Sequence, residues 1–364
     1  MTAREKDYWI AFSCFSQIGP KKFRLLLKYF GSAKKAWEAG EDEWKKINLG
    51  QKTIENFLVF RRDFDLSSYF LRLKNLGVNS LILEDKNYPE NLKRIDNSPF
   101  VLYLLGNLEP KDVLSLGVVG TRKITSYGKE VTEKLVGDLV ASGLTIVSGL
   151  CYGVDYIAHT TALELGGRTI GVWAGGLDTL NLGFRKYLVE KIIHSKQGAI
   201  VSEYSLGFHP LRTTFPQRNR IISGLSLGVL VTEAADDSGS LITAQCATEQ
   251  GRKVFAVPGP ITSSQTAGTA KLLKSKAILV YDVKDVLEEL QIEKKIKGFE
   301  AKQVLPDNDK EGKILDLLKN ENLDIDEIAK ITKMEVAKIS SLLSMMEIKG
   351  LVRNLGGSVY GPIR

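Results

Sequence analysis

The chain has 364 residues, 43% of them hydrophobic, which is enough apolar material for a sizeable core and a length that suggests two or three domains. No apolar run is long enough to cross a bilayer and the start MTAREKDYW has no signal-peptide pattern, so a cytoplasmic protein is expected. Three cysteines (Cys14, Cys151, Cys246) and three histidines (His159, His194, His209) stand at no metal-ligand spacing, which argues for reduced thiols and against a zinc enzyme. The net charge of +7 hints at a polyanionic partner; 15 basic residues face 9 acidic ones over 1–77, whereas 78–290 holds 22 of each, so a sheet-borne anion site must rely on a local cluster.

Residues 1–77 read as a helical domain built from YWIAFSCF, KKFRLLLKYF, AKKAWEA and KTIENFLVFRRDF. Within it QIGPKKFRLLLKYFG and NLGQKTIENFLVF place a Gly-containing turn between helical stretches, a SAM or helix-hairpin-helix-like pattern whose turn can offer backbone N–H groups to a phosphate; a bundle that merely packs is the alternative. From residue 78 to 290 a strand-like PFVLYLLG precedes a βα alternation. LSLGVVG, a helix from about Ser126 to Ser142, LTIVSG, a helix from about Val154 to Leu165, RTIGVWAGG, a helix near Arg185 to Ser195, and AIVSE lead to AILVYDV at the close. Such alternation specifies an α/β fold with an extended, Rossmann-like parallel sheet. Ligands of such sheets bind beyond the carboxyl ends of the strands, where Gly120-Thr121-Arg122, Ser148-Gly149, Gly175-Gly176, Ser202-Glu203, Glu233 and Pro258-Gly259 gather. Arg122 there is a phosphate fork, while Glu203 and Glu233 are expected to orient arginines or cap helices.

Between AIVSE and the last strand lies the densest chemistry, residues 215–259. GVLVTEA and KVFAVPG are buried strands, and a helix from about Ser240 to Glu249 runs between them with Gly251 past its end. The Ser238-Gly239-Ser240 turn before that helix offers free amides and the positive dipole end to a phosphate. Just upstream, Arg212, Phe215, Arg218, Asn219 and Arg220 form a polar cluster that combines guanidiniums with one aromatic face. No G-x-G-x-x-G or G-x-x-x-x-G-K-[ST] occurs, so no NAD, ATP or other cofactor is assigned. Gly149-Leu150-Cys151-Tyr152-Gly153 has the look of a nucleophile elbow, but Asp155 and His159 project from the helix that follows, so Cys151 reads as a small buried residue. Residues 291–308 are polar, aperiodic and contain Pro306, as a linker does. Over 309–364 three helical runs (GKILDLLKN, IDEIAKIT, MEVAKISSLLSMMEIKG) and a hairpin about Gly356-Gly357 make a winged helix. Its third helix offers only Lys338 and Ser340 before its apolar face, so protein contact is as suitable a role as DNA readout.

The ordered series GTR, SGLCYGVD with His159, GGLD, SEYSLGFHP, FPxRNRIIxGLS, TEA, SGSLITA, GR and VFAVPG resembles the DprA/Smf family of DNA-processing proteins. The family usually has Ala at Cys151 and Tyr-Pro where Asn181-Leu182 stands, and it tends to have Asn and Gly at Thr269 and Lys276. The resemblance implies a non-catalytic single-stranded DNA-binding protein that protects incoming DNA in natural transformation, dimerises through the sheet domain and helps load RecA. Combined with the rim chemistry it gives a nucleic-acid site of Arg122, Ser148, Gly149, Arg212, Phe215, Arg218, Asn219, Arg220, Ser238, Gly239 and Ser240, with arginines on the backbone and Phe215 stacked on a base. Two other readings stand beside it: a phosphoribohydrolase-like nucleotide enzyme with Glu233 or Glu249 as acid, and a scaffold whose sheet binds nothing.

Overall fold

The computed structural model describes residues 4–180, 184–293, 309–318, 321–348 and 351–362. The chain forms two compact units, Met1–Leu290 and Gln291–Arg364.

The first unit opens with six helices, α1 Glu5–Ser13, α2 Pro20–Phe30, α3 Ala33–Glu38, α4 Glu41–Lys45, α5 Gln51–Asp63 and α6 Leu66–Asn75. Aromatic residues at helical spacing put Trp9, Phe12, Phe23, Trp44 and Phe57 inside, with Phe12 stacked on Phe57 at 5.1 Å between ring centroids. The same core continues through Phe100, Tyr103, Trp173 and Leu188, so helices and sheet bury one apolar mass in common.

Nine strands form the sheet: β1 Asn79–Ile82, β2 Val101–Gly106, β3 Ser115–Val119, β4 Thr145–Ser148, β5 Thr169–Val172, β6 Gly198–Ser202, β7 Gly228–Val231, β8 Lys253–Ala256 and β9 Ile278–Leu279. Their order is β1-β2-β6-β5-β4-β3-β7-β8-β9. All pairings from β6 to β9 are parallel, and β2 joins β6 antiparallel with β1 antiparallel beyond it. The parallel series expected from the βα alternation is therefore extended by two antiparallel strands, β2 in the strand-like PFVLYLLG and β1 before it, which the sequence pattern did not mark. After the short α7 (Glu90–Lys93), the helices α8 Ser126–Ala141, α9 Val154–Glu164, α10 Phe184–His194, α11 Thr214–Leu225, α12 Ser240–Glu249 and α13 Ala267–Lys274 connect the strands, and α14 Val283–Glu289 follows β9. Helices α8 and α9 pair with each other, as do α11 and α12, and both pairs pack on the central strands.

In chain order the sheet grows from β3 outward to β6, then returns to place β7 on the other side of β3 and grows outward again. Strands β3 and β7 thus lie side by side with their following loops leaving in opposite directions, which opens a crevice beyond their carboxyl ends.

The second unit holds helices Asp309–Leu318, Ile325–Thr332 and Val336–Ile348, with a three-stranded sheet of Leu323–Asp324, Val352–Gly356 and Val359–Pro362. Asp324 caps the second helix in a capping box with Glu327, and Ile314, Leu318, Ile328, Ile339, Leu343 and Met346 form the core. Three helices and a hairpin turning at Gly356 and Gly357, both at positive φ, make the winged helix expected there. Of the linker 291–308, the part from 294 lies outside the described residues.

Candidate functional site

The crevice at the switch point is a cleft of about 820 Å³. One wall is the loop after β3, Gly120 to Lys123; the opposite wall is the loop after β7, Ala235 to Ser240; and α11 forms the floor through Arg218, Asn219 and Ile222. The two loops are tied where the Thr121 amide donates to the Glu233 carbonyl at 2.7 Å. Glu233 itself is buried and accepts from the Thr125 amide (2.9 Å) and hydroxyl (2.6 Å), holding the start of α8.

Of the residues expected at the site, Arg122, Arg218, Asn219, Ser238, Gly239 and Ser240 line this one cleft. Arg122 and its neighbour Lys123 are exposed and present their charges freely. Arg218 is only 2% exposed and forms part of the wall: Nη2 lies 3.7 Å from the Cys151 sulfur, and its Nε has no hydrogen-bond partner. Burial pushes the nearby Asp155 carboxyl up, opposed by the Arg218 charge and by hydrogen bonds from the Cys151 backbone and Ser148. Asn219 donates through Nδ2 to the Gly239 carbonyl at 3.3 Å, fastening α11 to the turn that starts α12. In that turn the Ser238 and Ser240 hydroxyls are 2.8 Å apart, Gly239 caps the helix with no side-chain bond, and the Ser240 amide reaches only the Ser238 hydroxyl, at 3.4 Å. The Leu241 and Ile242 amides are already spent on the Ser238 and Gly239 carbonyls (3.0 and 3.2 Å), so it is the positive dipole end of α12, rather than a set of free amides, that the Ser238 to Ser240 turn brings to the cleft.

Ser148 and Gly149 act by shape. Ser148 is fully buried and donates its hydroxyl to the Val118 carbonyl at 2.6 Å. A Cβ on Gly149 would come within 1.7 Å of Arg218 Nη1, so the absent side chain is the space the guanidinium occupies. At Gly153, φ is +76° and a Cβ would meet the Thr121 carbonyl at 2.2 Å, so the β3 loop and the start of α9 can approach only with glycine there.

The remaining three lie elsewhere. Arg220 turns away from the cleft into an ion pair with Glu203, both side chains 12% exposed; the rim of arginines expected from sequence thus lacks this member, because Glu203 neutralises it. Burial pushes the Glu203 carboxyl up, against the pull of Arg220. Arg212 is exposed on the loop before α11. Phe215 is half-buried, edge-on to Trp173 at 6.2 Å and 90°, with the Arg122 guanidinium 5.7 Å above its ring. Its ring is shared between the core and the rim.

Several features escape a reading of the sequence. The polar cluster FPQRNR is the first half of helix α11, whose buried residues Thr214, Arg218, Ile221, Ile222 and Leu225 recur at helical spacing. Pro216, tolerated in the first turn, and an arginine at a buried position hide that period. Lys123, Asp155 and Gln265 also line the cleft, Gln265 accepting from the Thr121 hydroxyl at 2.8 Å. Asp236, exposed on the rim, is paired with Lys271 at 3.1 Å, so the cleft carries carboxylates as well as cations. Thr269 is fully buried and donates to the Thr266 carbonyl at 3.0 Å, and Lys276 adopts a φ of 74°. Asn181-Leu182 lies outside the described residues.

The enzymatic readings find little support in the geometry. Glu233 is spent on Thr125, and Glu249 ends α12 at the far end from the cleft. His159 Nδ1 is engaged with the Thr169 hydroxyl at 2.6 Å, and burial, with the Arg218 charge behind it, lowers its pKa to about 3. Among the described residues no group of three or more His, Cys, Asp or Glu is placed to hold a metal ion, and no helix is long and apolar enough to cross a membrane.

Residues 79–291 match the family model for DNA recombination-mediator protein A, and residues 300–358 that for the DprA winged helix domain. The chain belongs to the DprA/Smf family. Protein Smf of Synechocystis sp. is 34% identical over 99% of this chain and 99% of its own length, and Protein Smf of Escherichia coli is 41% identical over 68% of this chain and 66% of its own. Among solved structures, DprA from Streptococcus pneumoniae aligns with a TM-score of 0.68 at 33% identity, covering 79% of this chain and 99% of that one. DprA from Helicobacter pylori, whose structure is described as giving its single-stranded DNA-binding mode, aligns with a TM-score of 0.52 at 29% identity over 59% of this chain and 96% of that one. The DprA/Smf match spans the whole sheet region and hence every residue of the cleft.

Proposed function

We propose that this chain binds single-stranded DNA in the cleft between the β3 and β7 loops, without catalysis. The observation that carries the reading is the cleft's composition: exposed Arg122 and Lys123 share it with the N-terminus of α12, which no side chain caps, and with Arg218 and Asn219 of α11. Two sources of positive potential so placed suit a phosphate backbone, and the Phe215 ring beside Arg122 suits a base face. Arg212 extends the path outside the cleft, whereas Arg220 serves it by tying Glu203 to the middle of α11. The single-stranded DNA-binding mode described for the Helicobacter pylori relative supports the same choice of ligand.

The finer proposal follows the family resemblance. It has this chain protecting incoming single strands in the cytoplasm during transformation, assisting RecA loading, and pairing as a homodimer through residues 78–290, with 1–77 and 309–364 as helical and winged-helix domains about a 291–308 linker. The direct test is titration of labelled oligo-dT and of a duplex of equal length at several salt concentrations. A salt-sensitive preference for the single strand is expected; equal or absent binding refutes the proposal.

A further inference from the structure

Helix α11 has a second cavity on its other flank. A pocket of about 360 Å³ is bounded by Thr213 and Gln217 at the start of α11, by Tyr204 and Phe208 after β6, and by Gly19 and Pro20 at the start of α2. The Tyr204 and Phe208 rings are stacked at 4.6 Å and 18°, both half-buried, and the Tyr204 hydroxyl donates to Gln217 Oε1 at 3.0 Å, which ties the aromatic pair to α11. Glu203 also borders the pocket, but its charge is answered by Arg220.

Three observations connect this pocket to the cleft. Thr214 lines the pocket and Pro216 lines the cleft, so the two cavities adjoin the same turn of α11, and Phe215 between them in sequence lies under the Arg122 guanidinium. Exposed Arg212 stands between Leu211 and Thr213, both of which line the pocket. On the far rim α2 begins at Gly19 with no side-chain cap, Pro20 fills the first helical position, and Lys21 is exposed in the first turn. A strand running from the cleft to the pocket would find a guanidinium over an aromatic ring, an exposed arginine, a stacked aromatic pair, and a helix N-terminus flanked by lysine. That set repeats the alternation of positive charge and π-face that single strands require.

We infer that the pocket between α2 and α11 receives a base of the same single strand that occupies the cleft, so that the Gly19-Pro20 turn of the N-terminal helices takes part in DNA binding. The inference rests on the single-strand reading of the cleft and extends it to a second subsite.

Its test uses the full chain and oligo-dT of graded length. The variant Tyr204→Ala/Phe208→Ala should lose roughly tenfold affinity for a strand of about 20 nucleotides, the order expected for one stacked base, and little for one of about 4 that fills the cleft alone. Equal loss at both lengths, or loss at neither, overturns the second subsite. Photocrosslinking of the unaltered protein to iodouridine-substituted oligo-dT avoids any dependence on variant folding. A cross-linked peptide containing Tyr204 or Phe208 supports the inference, and cross-links confined to the peptides of Arg122 and Phe215 overturn it. Failure of the unaltered protein to bind either length refutes the cleft reading as well, an outcome distinct from loss of the subsite alone.

Discussion

Replacing Arg122 by alanine isolates the electrostatic part of the proposed interface. Its guanidinium is exposed on the cleft wall and forms no ion pair among those of the described residues, so it is free for one phosphate. Removing one charge-assisted hydrogen bond near water costs about 1.5 kcal/mol, or roughly tenfold in affinity. For single strands log K falls with log salt at about −0.7 per phosphate neutralised, so the variant's slope should be shallower by about 0.7, and its defect at about 50 mM salt should exceed that at about 200 mM by about 2.6-fold. Because the guanidinium lies 5.7 Å over Phe215, the double variant with Phe215→Ala should be non-additive by about 0.5–1 kcal/mol. Fluorescence anisotropy with labelled oligo-dT across a salt series measures both quantities. Parallel salt slopes for the unaltered chain and Arg122→Ala, whatever the affinities, would show that this guanidinium meets no phosphate and would remove it from the interface.

Gly149→Ala should displace the Arg218 guanidinium, which is too buried to move aside freely; the expected cost is about 1–3 kcal/mol in urea unfolding, together with weakened oligo-dT binding. His159 tests the buried neutral imidazole. Its pKa of about 3 lies below the ordinary 6.5, so the folded state refuses a proton that the unfolded chain accepts. That contribution is full above about pH 6.5 and is lost as pH falls towards 3, the loss reaching roughly 2 kcal/mol at about pH 5. Urea midpoints at neutral pH and about pH 5 should therefore fall further for the unaltered chain than for His159→Gln, and equal falls would refute the assignment. Lys276 holds a left-handed backbone at φ 74°; Lys276→Gly should relieve about 1 kcal/mol of strain and raise the melting temperature by about 2–4 °C, and calorimetry showing a decrease would refute that reading.

The α/β alternation was legible because strands buried on both faces read as continuous apolar runs separated by stretches of helical periodicity. The expected bounds Ser240 to Glu249 agree with the helix α12 that forms, although its N-cap is Gly239 and no side chain caps it. The ordered motifs made the family legible too. Helix α11 was not, since a buried arginine at position 218 breaks an apolar period that packing restores by placing Asp155 and Gly149 around it. Nor did spacing reveal which of the clustered arginines faces the cleft. Residues 218 and 220 are two apart on a helix and so point about 200° from each other, one into the cleft wall and the other to Glu203. Sequence alone determined the βα order of the sheet domain and the residues that carry charge, because local patterning and chain order are properties of the chain itself. Only the tertiary structure decided that β7 returns beside β3, and so which loops meet: a crevice between strands more than 100 residues apart exists only once their pairing closes it.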